Sequence, residues 1–298
     1  MRVFLTGGTG YVGAAVLDSL VRGGHHVDVL VRNSEGAARV QARGGHPVLG
    51  DLVQSASWRD AAAAADGAIH AAVEYSPRQV AVDSGAIDGL LSLPEKRGRF
   101  LIYTSGIWVL GSAPDPVDET APVNAIEIVS WRPAHEQRVL AAAASGVRAI
   151  VVRPGIVYGG ARGIVGDLLK DAANSLVRIV GPGENHWPLI YERDLGELYA
   201  RLVGTPTADG IYHATDGGAE TVNEIVTALA DHAPTQPSVR HMPLAEARKK
   251  MGPYADALAL DQIVRSPRAR ALGWTPTLHS VAGNAARLFE EWRRGKAA

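Results

Sequence analysis

Three glycines near the start constrain this chain more than anything else in it. The segment Met1–Asp51 opens with a short apolar strand, Val3 to Leu5. It continues through Thr6-Gly7-Gly8-Thr9-Gly10-Tyr11-Val12-Gly13 into a helix expected over 14–22 and a second apolar strand ending at Val31. A chain with 33 glycines produces such a spacing by chance, so its place between a strand and a helix is what gives it meaning. In that βαβ context Gly7 permits the tight turn and Gly10 lets the backbone approach a diphosphate. Gly13 lets the helix close on the sheet, with its N-terminal amides facing the phosphates. The turn predicts a dinucleotide site formed by Gly7, Thr9, Gly10, Tyr11 and Val12.

The pattern then repeats. Helix 37–43, strand His46–Leu49, an alanine-rich helix around 61–65, strand 67–72, helix 80–93, strand Phe100–Thr104, a helix within 131–145 and strand 148–152 alternate in order. Alternating strands and helices predict an α/β fold of Rossmann type, a doubly wound parallel sheet with its ligand at the carboxyl ends of the strands. Residues 112–124, rich in Pro, Asp and Ala, are expected to form a loop over the site. Beyond Gly160 the pattern shortens, which predicts a dinucleotide-binding region over 1–160 and a smaller α/β substrate-binding or lid region over 161–298, intimately packed.

Several side chains fall at strand ends. The second strand exits through Arg32-Asn33-Ser34, and its acid, Asp28, lies inside the strand. A cation at this exit favours a 2′-phosphate, so the cofactor expected is NADP, with NAD as the alternative; otherwise Arg32 is a solvated strand-end charge. Asp51 can accept from an adenine amino group beside Leu52, or it caps the next helix. Ala71 and Ala72 leave room beside a ribose. His70 is expected to be a hydrogen-bonded residue at a strand end, since it lacks metal partners at usable spacing, and no metal is expected elsewhere.

Composition excludes several classes of function. Lys plus Arg number 30 against 31 Asp plus Glu, so the formal charge of -1 offers no general attraction to nucleic acid or an anionic membrane. There is no cysteine, hence no disulfide, thiolate metal site or cysteine nucleophile. No apolar run approaches the ~18 residues of a membrane span, and a cytoplasmic protein is the expectation.

Taken together, the glycine turn, Gly50-Asp51-Leu52, Ile69-His70-Ala71-Ala72, Tyr103-Thr104-Ser105-Gly106, Arg153-Pro154-Gly155-Ile156-Val157-Tyr158-Gly159 and Ala271-Leu272-Gly273-Trp274-Thr275-Pro276 resemble the extended short-chain dehydrogenase/reductase family, of the NAD-dependent epimerase/dehydratase kind. The resemblance spans nearly the whole chain. It implies hydride chemistry at a nicotinamide, a proton-transferring tyrosine, a lysine four residues later that holds the ribose, and a serine or threonine after the fifth strand. It also implies Pro154 near the cofactor and a homodimer formed through the alanine-rich helix near 134–144.

The proton-transfer residues depart from that pattern. Aligning the helix on Glu136-Gln137 and Val139-Leu140 puts Ile128 at the tyrosine position and Arg132 at the lysine position. Counting from the fifth strand instead gives Trp131 and His135. Residues 118–149 contain neither tyrosine nor lysine, and Gly106 takes the serine slot with Ser105 one residue earlier. Arg132 can bind a ribose but cannot easily shuttle a proton. The replacement acid then comes from Ser105, His135, Tyr158, His186 or Tyr191, or from water or the substrate. The reading is an atypical NADP(H)-dependent oxidoreductase acting on a small carbonyl or alcohol, which Ile126, Ile128, Trp131 and Trp187 make hydrophobic or aromatic. Its rivals are a cofactor-binding sensor or regulator without turnover and a non-redox isomerase or cyclase on the same scaffold.

Overall fold

The computed structural model describes residues 1–297. Seven strands form the main sheet: β1 (Arg2–Thr6), β2 (His26–Val31), β3 (His46–Leu49), β4 (Gly67–His70), β5 (Phe100–Thr104), β6 (Arg148–Pro154) and β7 (Gly210–Ala214). Their order is β7-β6-β5-β4-β1-β2-β3, and the pairs from β3 across to β6 are parallel. The order reverses beside β1, the place where an open parallel sheet of this kind offers a crevice. Val3, Phe4 and Leu5 are wholly buried, as continuous apolar strands must be when both faces of the sheet are covered.

The chain divides into two compact units that interleave in sequence. One comprises Met1–Ser105, Trp131–Arg153 and Leu195–Tyr212; the other comprises Gly106–Ser130, Pro154–Asp194 and His213–Ala298. No single cut near residue 160 separates them. The segment around Ile211 joins the main sheet as its outer strand, although in sequence it lies among the elements of the second half.

In the first unit, helices α1 (Tyr11–Arg22), α2 (Ser34–Ala42), α3 (Arg59–Ala64), α4 (Gln79–Leu91), α5 (Arg132–Ala141) and α6 (Glu192–Gly204) accompany the sheet. Helix α1 buries Ala15, Val16, Leu17 and Leu20 and stops at Gly23 and Gly24. Helix α6 approaches it closely, because a Cβ on Gly196 would lie 2.4 Å from the Ala15 carbonyl oxygen. Helix α2 starts at Ser34, earlier than its apolar spacing implies, since the Asn33 side chain caps it by accepting from the Gly36 amide at 2.8 Å. Phe4 stacks on Trp58 at 5.7 Å in a core shared with Ile87, Leu101, Val139 and Val151.

In the second unit, short parallel pairs join Ile156–Tyr158 to Leu189–Tyr191 and Leu176–Val180 to Ser238–Met242. Helices Gly163–Ala173, Val222–Asp231 and Ala285–Ala297 pack around Val177, Trp187, Leu288 and Phe289. The stretch expected as a loop over 112–124 contains a strand, Ala113–Val117, paired in parallel with Gln262–Val264. Its two prolines sit between the residues that pair, where a missing amide costs no ladder bond. The Leu272-Gly273-Trp274 segment is tied by the Trp274 indole, which donates to the Asp194 carbonyl at 2.8 Å. The Asp194 carboxylate in turn accepts from the Thr277 and Leu278 amides.

Candidate functional site

The bend between β1 and α1 needs each glycine for a separate reason. Gly7 has φ +79°, and a Cβ there would stand 2.5 Å from the Ala71 carbonyl oxygen. A Cβ on Gly13 would stand 2.1 Å from the Gly7 carbonyl oxygen. At Gly10, by contrast, a Cβ would meet only that same oxygen, at 3.1 Å. The outer side of the turn is therefore open to a ligand at Gly10 and closed at the other two. Helix α1 has no side-chain cap at Gly10 and no acid in its first turn, so no carboxylate of that turn competes with an anion at its positive end. Thr9, Tyr11 and Val12 are half-buried along this edge. A diphosphate fits this cradle by both shape and charge.

Around it lie the exits of β2, β3 and β4. Arg32 is exposed. Asp28, the acid on β2, is buried and turned to the opposite end of the strand, where it accepts from Arg2 Nε at 2.6 Å and pairs with His26 at 3.1 Å. Asp51 accepts from the Val53 amide at 3.1 Å, which makes it a local turn rather than a helix cap. Leu52, Ala71 and Ala72 are half-buried.

The exits of β4 and β5 meet α4 and α5 in a buried polar network centred on Asp83. His70 Nε2 lies 3.2 Å from Asp83 Oδ1, while His135 Nδ1 and the Tyr103 hydroxyl lie 2.7 and 2.9 Å from Oδ2. On its other side His70 Nδ1 meets the Thr6 hydroxyl at 2.7 Å, and Thr6 accepts from the Ala72 amide at 3.4 Å. The arrangement sets the tautomers: His70 and His135 donate to Asp83, and Thr6 donates to His70. Burial alone would raise the Asp83 carboxyl. The bonds from His135 and His70, with the charge of Arg132, nonetheless hold it well below the usual carboxylate range. Burial pushes the Tyr103 phenol up, against the pull of Arg132.

Arg132, at the first position of α5, reaches the end of β5. Its Nη1 donates to the Thr104 carbonyl at 3.0 Å and approaches the Tyr103 hydroxyl at 3.4 Å, and its guanidinium lies 4.5 Å from the Trp131 ring centre. One turn on, Glu136 pairs with Arg153. The Thr104 hydroxyl meets that of Tyr199 at 2.7 Å. Ser105 is buried, and its hydroxyl has no hydrogen-bond partner among the described residues.

Of the residues singled out in the sequence, Ser105, Arg132 and His135 thus lie in the first unit with the glycine turn, Arg32, Asp51, Leu52, Ala71 and Ala72. Tyr158 and Pro154 belong to the second unit. Tyr158 is fully buried, and its hydroxyl donates to Asp216 Oδ2 at 3.4 Å; burial and the Asp216 charge push that phenol up. Also in the second unit, Tyr191 donates to Glu291 at 2.9 Å and is pushed up to about 12 by burial and by that carboxylate. His186 pairs with Asp261 at 2.8 Å. Sequence reasoning passed over Asp83, Tyr103 and Glu136. The available signal was the polar series Arg132, His135 and Glu136, which shares one face of a helix with the buried Val139. Among the described residues no group of three His, Cys, Asp or Glu side chains is placed to hold a metal, and no helix is long and apolar enough to cross a membrane.

Comparison with known proteins gives a consistent picture. The model of the NAD dependent epimerase/dehydratase family matches residues 3–214. The uncharacterized protein C2A9.02 of Schizosaccharomyces pombe is 32% identical over 289 residues, covering 94% of this chain and 96% of that protein. The 4-hydroxy-2-methyl-3-oxo-4-farnesyl-3,4-dihydroquinoline-1-oxide ketoreductase of Stigmatella aurantiaca is 27% identical over 260 residues, covering 83% and 78%. Human epimerase family protein SDR39U1, solved with NADPH, superposes with a TM-score of 0.74 at 19% identity, over 97% of this chain and 99% of that one.

Proposed function

From the chain's membership of the NAD dependent epimerase/dehydratase family, we propose that it is an NADP(H)-dependent oxidoreductase of the extended short-chain type, acting on a small carbonyl or alcohol through a rebuilt proton-transfer site. A bound nicotinamide supplies or takes up the hydride. The α1 N-terminus and the open edge at Gly10 hold the diphosphate, and Asp51, Ala71 and Ala72 flank the nucleoside. The observation that carries the reading is Arg132, anchored at the carboxyl end of β5 by the Thr104 carbonyl. It supports the alignment in which this arginine takes the lysine position and grips the ribose with its remaining donors. Its permanent charge stabilises developing negative charge without giving up a proton.

The proton has few sources in the first unit. The Tyr103 hydroxyl is committed to Asp83 and His135 Nδ1 likewise, while the Thr104 and Tyr199 hydroxyls share one bond between them. The Ser105 hydroxyl is unspent, and we assign it the substrate oxygen. The ketoreductase relative favours carbonyl reduction. NADP(H) is favoured over NAD(H) because Arg32 stands exposed at the β2 exit while Asp28 is engaged elsewhere, and Asn33 is spent on capping α2. Glu35, the nearest acid after it, pairs with Arg39 at 3.8 Å.

Titration with NADPH, NADP+, NADH and NAD+ tests this. The phosphorylated pair is expected to bind tighter, with Arg32→Ala weakening NADPH by about tenfold and leaving NADH unchanged, as loss of one charge-assisted phosphate contact implies. Equal affinity for all four overturns the NADP(H) assignment. NADPH consumption against a panel of apolar and aromatic carbonyls tests turnover. Tight binding with no turnover on any of them favours the cofactor-sensing reading, which rests on the same commitment of Tyr103 and His135 to Asp83.

A further inference from the structure

Within the first unit, one carboxylate connects both sides of the proposed cofactor cradle. Asp83 sits on α4, away from the glycine turn in sequence, and is 5% exposed. Three donors converge on it, from β4 (His70), β5 (Tyr103) and α5 (His135). An ionised carboxylate can only accept, and both oxygens of this one are bonded, so each of the three donors is fixed in direction as well as in place.

Two consequences follow for groups that Asp83 does not touch. Because the Tyr103 O–H points at Asp83, its oxygen lone pair is left facing Arg132 Nη1 at 3.4 Å. Because His70 Nε2–H is spent on Asp83, His70 Nδ1 accepts from Thr6. The Thr6 oxygen is then left to accept from the Ala72 amide, next to the Ala71 carbonyl that closes on Gly7.

We infer that Asp83 is a positioning residue for cofactor binding: through Tyr103 it sets the guanidinium of Arg132, and through His70 and Thr6 it sets the rim of the glycine turn. The inference rests on the reading of Arg132 as a cofactor-holding group. A carboxylate is required here, and an amide does not replace it. With its oxygen towards His135 and Tyr103, Asn would turn its NH2 onto the His70 Nε2–H unless His70 changed tautomer and reversed the Thr6 bond. With the amide turned the other way, the NH2 would face Tyr103 and His135, and the Tyr103 hydroxyl would lose its fixed donor direction and Arg132 its aligned acceptor.

A double-mutant cycle on the full chain tests this, with the NADPH dissociation constant as the readout and far-UV circular dichroism as the check on fold. Asp83→Asn and Arg132→Ala are each expected to weaken NADPH by about tenfold, and the double variant to lose clearly less than the product of the two, because the part of the Asp83 effect that runs through Tyr103 is already absent without Arg132. Tyr103→Phe, which removes one hydroxyl and keeps the ring, is expected to show the same coupling to Arg132→Ala and serves where Asp83→Asn does not fold. Additive losses, or unchanged affinity in both Asp83→Asn and Tyr103→Phe, overturn the positioning role and leave the Arg132 reading standing. Unchanged affinity in Arg132→Ala overturns that reading and this inference together.

Discussion

Glu136 and Arg153 form a two-pronged ion pair on the inner face of α5, with Nε donating to Oε1 at 3.0 Å and Nη2 to Oε2 at 2.5 Å. Their side chains are 3% and 2% exposed. Taking two charges out of water is costly, and their geometry offsets most of that cost only while both are present. Glu136→Ala is therefore expected to destabilise the fold by about 3–5 kcal/mol, leaving a buried guanidinium alone. The double variant Glu136→Leu with Arg153→Met is expected to recover most of the loss. Urea midpoints at neutral pH check both, and a double variant as unstable as the single one would show that the pair contributes more than its own charge balance.

The glycine turn separates folding from binding. Gly13→Ala brings a Cβ to 2.1 Å from the Gly7 carbonyl oxygen, a backbone atom that cannot swing away. It is expected to lower the melting temperature and to abolish cofactor binding together. Gly10→Ala meets only one atom, at 3.1 Å. It is expected to keep the melting temperature close to that of the parent and to weaken NADPH by at least about tenfold, since the methyl occupies the side that a diphosphate must approach. Thermal scans with and without NADPH distinguish the two. A Gly10→Ala protein with undiminished ligand stabilisation would place the diphosphate elsewhere.

The parts of this molecule that were legible in the sequence are those whose cause is local. Gly7, Gly10 and Gly13 announce the β1–α1 bend because sterics within the fold exclude a side chain at Gly7 and Gly13, and the approach of a diphosphate excludes one at Gly10. Phe100–Thr104 reads correctly as a strand because a buried parallel strand is a continuous apolar run. Ala113–Val117 was hidden because its prolines signal a loop locally, while its pairing partner lies near residue 262. The apolar stretch from Ile211 to Ala214 has a strand's pattern, but nothing nearby says that it extends the main sheet past β6. The Asp83 network was illegible for the same reason: His135 is 52 positions away, and an Asp in a largely apolar helix carries no local sign of the donors that will surround it. His70 was the exception, since the lack of nearby metal partners already pointed to a hydrogen-bonded strand end.

In the second unit, Asp216 makes stability depend on pH in an unusual direction. Its carboxyl is 2% exposed, accepting from the Gly218 amide at 2.8 Å and from the Tyr158 hydroxyl at 3.4 Å. Burial, against the Gly218 bond and with the charge of Glu220 adding to it, pushes Asp216 from 3.8 up to about 7. A carboxyl raised in the folded state binds its proton there more tightly than in the unfolded chain. Its contribution is therefore fully present below about pH 4 and is lost as pH rises towards about 7, after which it is constant. At 1.36 kcal/mol per pH unit, the offset between 3.8 and about 7 corresponds to about 4 kcal/mol as an upper figure. Asp216→Asn removes that penalty at its source: Oδ1 still accepts from Gly218, and the amide NH2 donates to the Tyr158 oxygen in place of the bond that it received. The variant is expected to be more stable than the parent at pH 8, by up to a few kcal/mol, and to match it near pH 4. Urea unfolding of both proteins from pH 4 to pH 8 measures the difference directly, which cancels every other titrating group. Parallel curves would show that Asp216 is ionised in the folded protein with no strain, and that its burial is fully compensated.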